Sequence, residues 1–202
     1  MVEFIRRDPT QSEFWDERFD KNFMPWDKGN VPQNFSHFVQ KQPHALRCLI
    51  PGCGHGYEVA MTAQLGWDVT AIDFSPSAVQ TAQRTVGKWA NHIVQADFFI
   101  YQPQRTLDVI YERAFFCALP PDFRQKIIDR WTQLLPLGAL LAGYFFFDDA
   151  LDASKKGPPF SIHSQLWLEQ MAPNFVQIED SPVLDSIAVF AGKERWQVWR
   201  RR

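Results

Sequence analysis

Short apolar runs alternate with amphipathic segments from about residue 46 to the end of the chain. The runs predict strands at residues 48–50, 69–72, 92–95, 107–112, 139–147, 175–180 and 187–198. The amphipathic segments predict helices at residues 57–65, 77–88, 122–135 and 164–171. Repeated strand–helix–strand units indicate an α/β fold with a mostly parallel, doubly wound, seven-stranded sheet. Because the connection between the last two strands is short, one strand near the C-terminus is expected to run antiparallel.

The first 45 residues differ from this pattern and predict a helical lid. A helix begins at Ser12 and runs to Asp20, with Phe14, Trp15 and Phe19 spaced to share a face. A loop follows, and then a second helix at about residues 33–41. We therefore expect a single domain over residues 1–202, with the lid at 1–45 and a Rossmann-like core at 46–202.

Composition and charge exclude several classes of protein. The 202-residue chain has a formal net charge of −2, which argues against a nucleic-acid partner. No apolar run approaches the roughly 18 residues of a membrane span, and residues 1–8 lack the features of a signal peptide. Its three cysteines have no CxxC spacing, so neither a disulfide framework nor a metal site is expected. A cytoplasmic monomer that acts on a small molecule is the expectation.

A glycine-rich turn follows the first predicted strand of the core. Gly52, Gly54 and Gly56 come directly after Pro51 and before a predicted helix. Glycines at this place let the backbone turn tightly and approach a ligand, and open α/β sheets bind ligands at the carboxyl ends of their strands.

The next two strands also end in residues that suit a nucleoside. Asp73 ends the second strand, where its carboxylate would accept both ribose hydroxyls, and Phe74 follows it. Asp97 and Phe98 end the third strand, where they would bind the adenine amino group and cover the ring.

The spacing of the glycines distinguishes a site for a nicotinamide dinucleotide from a site for S-adenosylmethionine. A nicotinamide dinucleotide fingerprint needs glycine three positions after Gly54, where this chain has Tyr57. Glycine occurs one residue earlier, at Gly56, and this pattern suits the methionine end of S-adenosylmethionine, which has no pyrophosphate.

A longer set of motifs extends over nearly the whole chain and comprises Trp15, Pro25-Trp26-Asp27, Gly29, Pro32, Ile50-Pro51-Gly52-Cys53-Gly54, Asp73, Asp97-Phe98, Glu112-Arg113-Ala114-Phe115-Phe116 and Gly157-Pro158-Pro159-Phe160. This set resembles one family, the thiopurine S-methyltransferases, including their halide, thiocyanate and thiol methyltransferase branch. Arg113 resembles the thiopurine enzymes, whereas Phe115-Phe116-Cys117-Ala118 looks more like the halide and thiol branch. The acceptor therefore stays open between these branches.

This resemblance implies a role for each matched residue. Trp15, Phe19 and Trp26 would close over the cofactor, Gly52 would contact its methionine part, and Arg113 would lie at the methyl-donor end. The complete expected cofactor site is Trp15, Phe19, Trp26, Gly29, Pro51, Gly52, Gly54, Gly56, Asp73, Phe74, Asp97, Phe98 and Arg113. The expected substrate site is Phe23, Trp26, Phe115, Phe116 and His163.

The expected chemistry is methyl transfer to a small soft nucleophile: a thiol, thiopurine, thiocyanate, halide or chalcogen anion. Charge cancels as the sulfonium and an anionic acceptor react, and a dry aromatic pocket favours that change. Arg113 and Glu112 are the candidate catalytic residues; Glu112 either faces the site or only pairs with Arg113. No His–Asp pair, lysine or metal cluster marks a general base in the sequence.

Three alternatives remain on the same sequence. The first is an O- or N-methyltransferase for a small metabolite, which would need a base near the methyl group. The second is a cofactor-binding regulator without turnover. A nicotinamide dehydrogenase is the third, and the glycine spacing disfavours it.

Overall fold

The computed structural model describes residues 3–150 and 157–202, which form one seven-stranded sheet in the order β3-β2-β1-β4-β5-β7-β6. The strands are β1 (Arg47–Pro51), β2 (Asp68–Asp73), β3 (Ile93–Gln95), β4 (Val109–Arg113), β5 (Leu140–Phe146), β6 (Phe175–Pro182) and β7 (Glu194–Arg201). Chain order reverses between β1 and β4, and this reversal creates a crevice at the carboxyl ends of the strands.

The sheet confirms the predicted fold class. Strands β1 to β5 pair in parallel, and β7 runs antiparallel to both β5 and β6. The predicted last strand, residues 187–198, was placed too early along the chain. It begins at Glu194, because the preceding residues form a turn in which the Phe190 N–H donates to the Ile187 carbonyl at 3.0 Å.

Six α-helices connect or flank the strands in the described ranges. They are α1 (Ser12–Asp20), α2 (Gln33–Gln40), α3 (Tyr57–Gln64), α4 (Pro76–Val86), α5 (Arg124–Leu134) and α6 (Ser164–Met171). The residues at the N-terminus of α4 explain why a helix begins there. Ser75 accepts a hydrogen bond from the Ala78 N–H, and Pro76 occupies the first helical position, where no donor is needed.

Alternate residues of each strand supply two separate cores, one on each face of the sheet. In β1, Cys48 and Ile50 face the core beneath α2, α3 and α4, whereas Leu49 faces the core beneath α5 and α6. This period of two, with helices covering both faces, accounts for the continuous apolar runs of the sequence.

The two N-terminal helices have different surroundings. Helix α1 lies over the carboxyl ends of the strands. Helix α2 packs on the sheet instead, where Phe35 is fully buried against Tyr111, with ring centroids 3.9 Å apart. Of the predicted lid, only the part before α2 therefore lies over the crevice. Within the described ranges, no helix is long and apolar enough to cross a membrane.

Candidate active site

A cavity of about 680 Å³ opens at the carboxyl ends of β1 to β4 and is covered by α1 and the loop after it. Its floor contains the glycine turn after β1, the end of β2, the turn after β3 and the turn after β4. This volume lies within the usual range for small-molecule sites. The crevice where chain order reverses therefore forms a ligand-sized cavity.

The glycine turn after β1 contributes two of its three glycines to the cavity wall. Gly52 and Gly54 line the cavity and have positive φ values of 60° and 53°. Gly56 instead caps α3, with its Cα facing Ile93, and Pro51 ends β1 behind the cavity wall. Two of the predicted contact residues in this turn thus shape the loop rather than line the cavity.

Asp73 is a buried carboxylate in the cavity wall, with 8% of its surface exposed. Its Oδ1 accepts from the Ser75 N–H at 3.0 Å, and its Oδ2 lies 3.5 Å from the Gly54 N. Burial raises the pKa of Asp73 to about 6, although these backbone donors act in the opposite direction. Phe74 lines the cavity beside it. This end of β2 therefore offers a poorly solvated acceptor to a ligand.

The turn after β3 also contributes to the wall. Asp97 lines the cavity, and its Oδ1 accepts from the Phe99 N–H at 2.8 Å, which leaves Oδ2 for other donors. Phe98 packs edge-on against Phe115 with centroids 5.0 Å apart. Phe99 lines the cavity as well, although the sequence did not single it out.

Aromatic side chains of the N-terminal segment form the roof. Trp15 and Phe19 of α1 meet Trp26 of the following loop, with centroid distances of 5.5 and 6.2 Å, and Phe23 lines the same region. Gly29 is exposed outside the cavity, where its N–H donates to Asp27. The predicted roof is therefore present, without Gly29.

Arg113 brings a positive charge to the cavity at the end of β4. Its guanidinium carbon lies 5.2 Å from the centroid of the Tyr144 ring. Glu58, from the first turn of α3, is buried in the same wall and accepts from the Tyr111 hydroxyl at 3.2 Å. Burial raises the pKa of Glu58, and the charge of Arg113 opposes that rise.

Glu112 faces away from the cavity, although it precedes Arg113. It is 1% exposed, and its Oε1 accepts from the Phe116 N–H at 2.6 Å. Its Oε2 has no hydrogen-bond partner in the described structure. Burial, joined by the charge of Glu194, raises the pKa of Glu112 to about 8. The side chain therefore holds the turn after β4 and does not reach a ligand directly.

Two predicted substrate residues lie elsewhere. Phe116 is 2% exposed and packs against Trp131 and Trp167, with centroids 5.4 and 5.3 Å away, because the turn after β4 points it into the core. His163 precedes α6, outside the cavity lining, with Nδ1 3.9 Å from Asp149. Only Phe115 of the Phe115-Phe116 pair lines the cavity.

Comparison with known proteins identifies the family of this chain. The profile of the thiopurine S-methyltransferase (TPMT) family matches residues 10–202. The chain belongs to the thiopurine S-methyltransferase family. It is an S-adenosylmethionine-dependent methyltransferase, as the glycine spacing and the resemblance predicted.

Relatives of this thiopurine S-methyltransferase family member come from both branches named above. Thiocyanate methyltransferase 1 of Brassica oleracea is 30% identical over 196 residues, covering 93% of this chain and 84% of the relative. A thiopurine S-methyltransferase of Pseudomonas fluorescens is 28% identical over 177 residues, covering 75% and 76%.

Solved structures support the fold. The 1,6-didemethyltoxoflavin-N1-methyltransferase of Burkholderia thailandensis superposes with a TM-score of 0.72 at 15% identity, covering 99% of this chain and 93% of that one. Magnesium protoporphyrin IX methyltransferase of Synechocystis gives a TM-score of 0.71 at 15% identity, covering 95% and 99%. At this identity the likeness shows the fold alone.

Sequence reasoning missed several polar residues of this methyltransferase's cavity. Tyr57 and Glu58 were not among the expected site residues, yet both line the cavity. Their position directly after the glycine turn was the available signal, since the first turn of that helix faces the ligand crevice. Phe190 also lines the cavity, from the turn that was predicted as part of the last strand.

No His–Asp pair marked a general base in the sequence, yet the structure brings one such pair together in the cavity. His55 Nδ1 lies 3.5 Å from Asp27 Oδ2, and the Tyr57 hydroxyl donates to the same oxygen at 3.2 Å. All three residues line the cavity. The pair joins the glycine turn to the N-terminal segment, far apart in sequence, so no local motif could reveal it.

Two cysteines lie in the cavity wall of this family member. Burial raises the pKa of both Cys53 and Cys117 well above the usual thiol value, so both stay protonated near neutral pH. A protonated, buried thiol is a poor nucleophile, so neither cysteine is suited to attack a substrate. No cluster suited to a metal ion occurs in the described ranges.

Proposed function

We propose that the cavity holds S-adenosylmethionine along the strand ends and directs its methyl group to a small, soft nucleophile beside Arg113. The adenine lies at Asp97 and Phe98, the ribose at Asp73, and the methionine part at the glycine turn. When bound, the cofactor supplies a methyl group on a positively charged sulfur, which an acceptor lone pair takes as the carbon–sulfur bond breaks.

The residues present fit this ligand. Asp73 is buried with a raised pKa, and hydroxyl donors from a ribose would favour its charged form. Gly52 lines the cavity without a side chain, so a ligand can lie against its backbone. Trp15 and Trp26 place aromatic faces over the crevice, and each such face stabilises a sulfonium by roughly 0.5–2 kcal/mol.

The chain's own residues assist the transfer by exclusion of water and by positioning. A roof of aromatic rings removes water that would otherwise stabilise the separated charges of sulfonium and anion. The positive charge of Arg113 attracts an anionic acceptor towards the bound cofactor. Holding both reactants in one geometry contributes several kcal/mol, up to about 7–11 in ideal cases.

The observation that carries this proposal is the continuous wall from Asp97 through Asp73 and Gly52 to Arg113 beneath the aromatic roof. Arg113 resembles the thiopurine branch and Phe115-Phe116-Cys117-Ala118 resembles the halide and thiol branch, so we propose thiols, thiopurines, thiocyanate and iodide as acceptors. The protein is proposed to act as a single-domain cytoplasmic monomer without a nucleic-acid partner, which its net charge of −2 supports.

A second candidate, methylation of an acceptor that must first lose a proton, is favoured by the His55–Asp27 pair. A histidine whose Nδ1 faces a carboxylate is oriented to take a proton at Nε2. Neutral thiols, phenols or amines would use such a base, whereas thiocyanate and iodide would not.

Product analysis with isotope-labelled S-adenosylmethionine tests both candidates. The panel contains thiols, a thiopurine, thiocyanate, iodide, phenols and amines, with Asp73→Asn as a binding-deficient control and Asp129→Asn as an exposed-carboxylate control. We expect labelled methyl on sulfur or iodide with wild type and Asp129→Asn. Label only on phenols or amines would refute the soft-nucleophile proposal, and S-adenosylhomocysteine binding without any product would favour a regulator.

A further inference from the structure

Asp16 of α1 joins the N-terminal lid to the start of α4. Its Oδ1 accepts from the Ser75 hydroxyl at 2.5 Å and from the Ser77 N–H at 3.1 Å. A carboxylate at a helix N-terminus is stabilised both by these donors and by the helix dipole. Because α4 is part of the core and α1 is not, this contact fixes where the lid lies.

Ser75 connects that contact to the predicted ribose site. Its side chain is fully buried and donates its only hydroxyl proton to Asp16, while accepting from the Ala78 N–H. Its backbone N–H donates to Oδ1 of Asp73 at 3.0 Å. One residue therefore bonds to a lid carboxylate and to a cavity carboxylate at the same time.

Because of its position in α1, Asp16 lies close to the aromatic residues of this helix that line the cavity. Trp15 is the adjacent residue, and Phe19 lies one turn further along the same helix; both rings line the cavity. If Asp16 were released from Ser75 and Ser77, the helix that carries these rings would lose its polar attachment to α4.

We propose that Asp16 is a positioning residue that couples closure of α1 to occupancy of the ribose site at Asp73. This inference rests on the proposed function, because it takes Asp73 to bind the cofactor. A ligand that orders the loop of Asp73 and Ser75 stabilises the donors that Asp16 needs. By linkage, the docked helix raises the affinity for that ligand by the same factor.

The test compares Asp16→Ala and Asp16→Asn with Asp20→Ala, using S-adenosylhomocysteine as the probe. Asp20 is one turn from Asp16 on the same helix and is exposed, so its variant controls for loss of an α1 carboxylate. We measure the dissociation constant by calorimetry, and hydrogen exchange of residues 12–20 with and without the probe.

We expect Asp16→Ala to weaken binding about tenfold, since the lost hydrogen bonds involve a charged acceptor. The extra protection of residues 12–20 that the probe gives in wild type should disappear. Asp16→Asn retains an oxygen acceptor and should recover most of the affinity, which a general loss of stability would not allow. Asp20→Ala should behave as wild type.

Two results would overturn the proposal: affinity of Asp16→Ala within twofold of wild type, or probe-dependent protection of α1 that persists in that variant. If Asp16→Ala does not fold, Asp16→Glu replaces it. Its carboxylate is displaced by one methylene, so it must bind the probe more weakly than Asp16→Asn, and the reverse order overturns the proposal. Wild-type protein that binds no S-adenosylhomocysteine would instead contradict the proposed function itself.

Discussion

A Cβ added to Gly52 would lie 2.8 Å from Cδ2 of Phe115, so the glycine turn after β1 and the turn after β4 touch only because residue 52 has no side chain. Gly52 also has a φ of 60°, which a residue with a Cβ adopts at a cost. The glycine turn and the turn after β4 are therefore packed directly against each other at this contact.

Gly52→Ala is expected to weaken S-adenosylhomocysteine binding at least tenfold, because Phe115 or the turn must move. Backbone strain alone should reduce the free energy of unfolding by about 1–2 kcal/mol. Calorimetry and urea unfolding measure the two effects. Gly66→Ala is the matched control: its φ is 81° and no atom lies within 4 Å of the added Cβ, so it should lose stability without losing affinity. Equal affinity of Gly52→Ala and wild type would contradict this account.

Asp73 is expected to make cofactor binding depend on pH. Burial raises the pKa of Asp73 to about 6 from 3.8, and hydroxyl donors bind its charged form, so affinity should fall as pH drops below about 6. In the free protein, the same raised pKa makes folding stability change with pH in the opposite direction. The folded state holds the proton between pH 3.8 and 6, so the contribution of Asp73 to stability is lost as pH rises through that window.

Calorimetry of S-adenosylhomocysteine from pH 5 to 8 measures this dependence. Asp73→Asn should bind more weakly by about 1.5–3 kcal/mol at pH 7.5, the value of hydrogen bonds to a charged acceptor, and should show a flatter pH profile. A wild-type affinity that is constant across this range would remove Asp73 from the ribose site.

Residues close together in the sequence were sufficient to predict where helices begin and which strand ends carry site residues. The helix predicted at residues 77–88 is observed as α4, because the Ser75 side chain caps its first turn and Pro76 has a fixed φ at the first helical position. Strand-end carboxylates such as Asp73 and Asp97 also fell at the cavity, since parallel strands bring their carboxyl ends to one edge.

Contacts between distant segments could not be predicted in this way. Ala114 has a φ of 60°, and this turn directs Phe115 to the cavity and Phe116 to the core, which no apolar pattern encodes. The apolar residues near Phe190 suggested a strand, yet they form a turn beside the cavity. The His55–Asp27 pair likewise depends on where the lid lies on the core.

The neighbours Phe115 and Phe116 should give opposite results when each is changed to alanine. Phe115 lines the cavity, so Phe115→Ala should lower the rate of methyl transfer or raise the acceptor KM with a small loss of stability. Phe116 is buried among Trp131 and Trp167, so Phe116→Ala should cost about 3–5 kcal/mol of unfolding free energy. Urea unfolding and initial rates measure both. Loss of activity in a fully stable Phe116→Ala would restore Phe116 to the substrate site.

Glu112 is expected to make the stability of the free protein fall as pH rises from 4.5 to 8. Burial, with the nearby charge of Glu194, raises the pKa of Glu112 to about 8, so the folded state holds a proton that the unfolded state releases above pH 4.5. Each pH unit across that window therefore reduces the contribution of Glu112 to the free energy of unfolding by at most about 1.4 kcal/mol. This loss is complete above pH 8.

The Glu112→Gln variant isolates this effect because glutamine keeps an oxygen that accepts from the Phe116 N–H and does not titrate. Relative to wild type, its free energy of unfolding should increase by on the order of 3 kcal/mol between pH 5 and pH 8, because only wild type loses stability over that range. Glu112→Ala removes the acceptor altogether and should be destabilised at both pH values, by about 1–3 kcal/mol for the unpaired N–H. A difference between Glu112→Gln and wild type that does not change with pH would mean that Glu112 is charged in the folded protein, and that Arg113 beside it stabilises that charge.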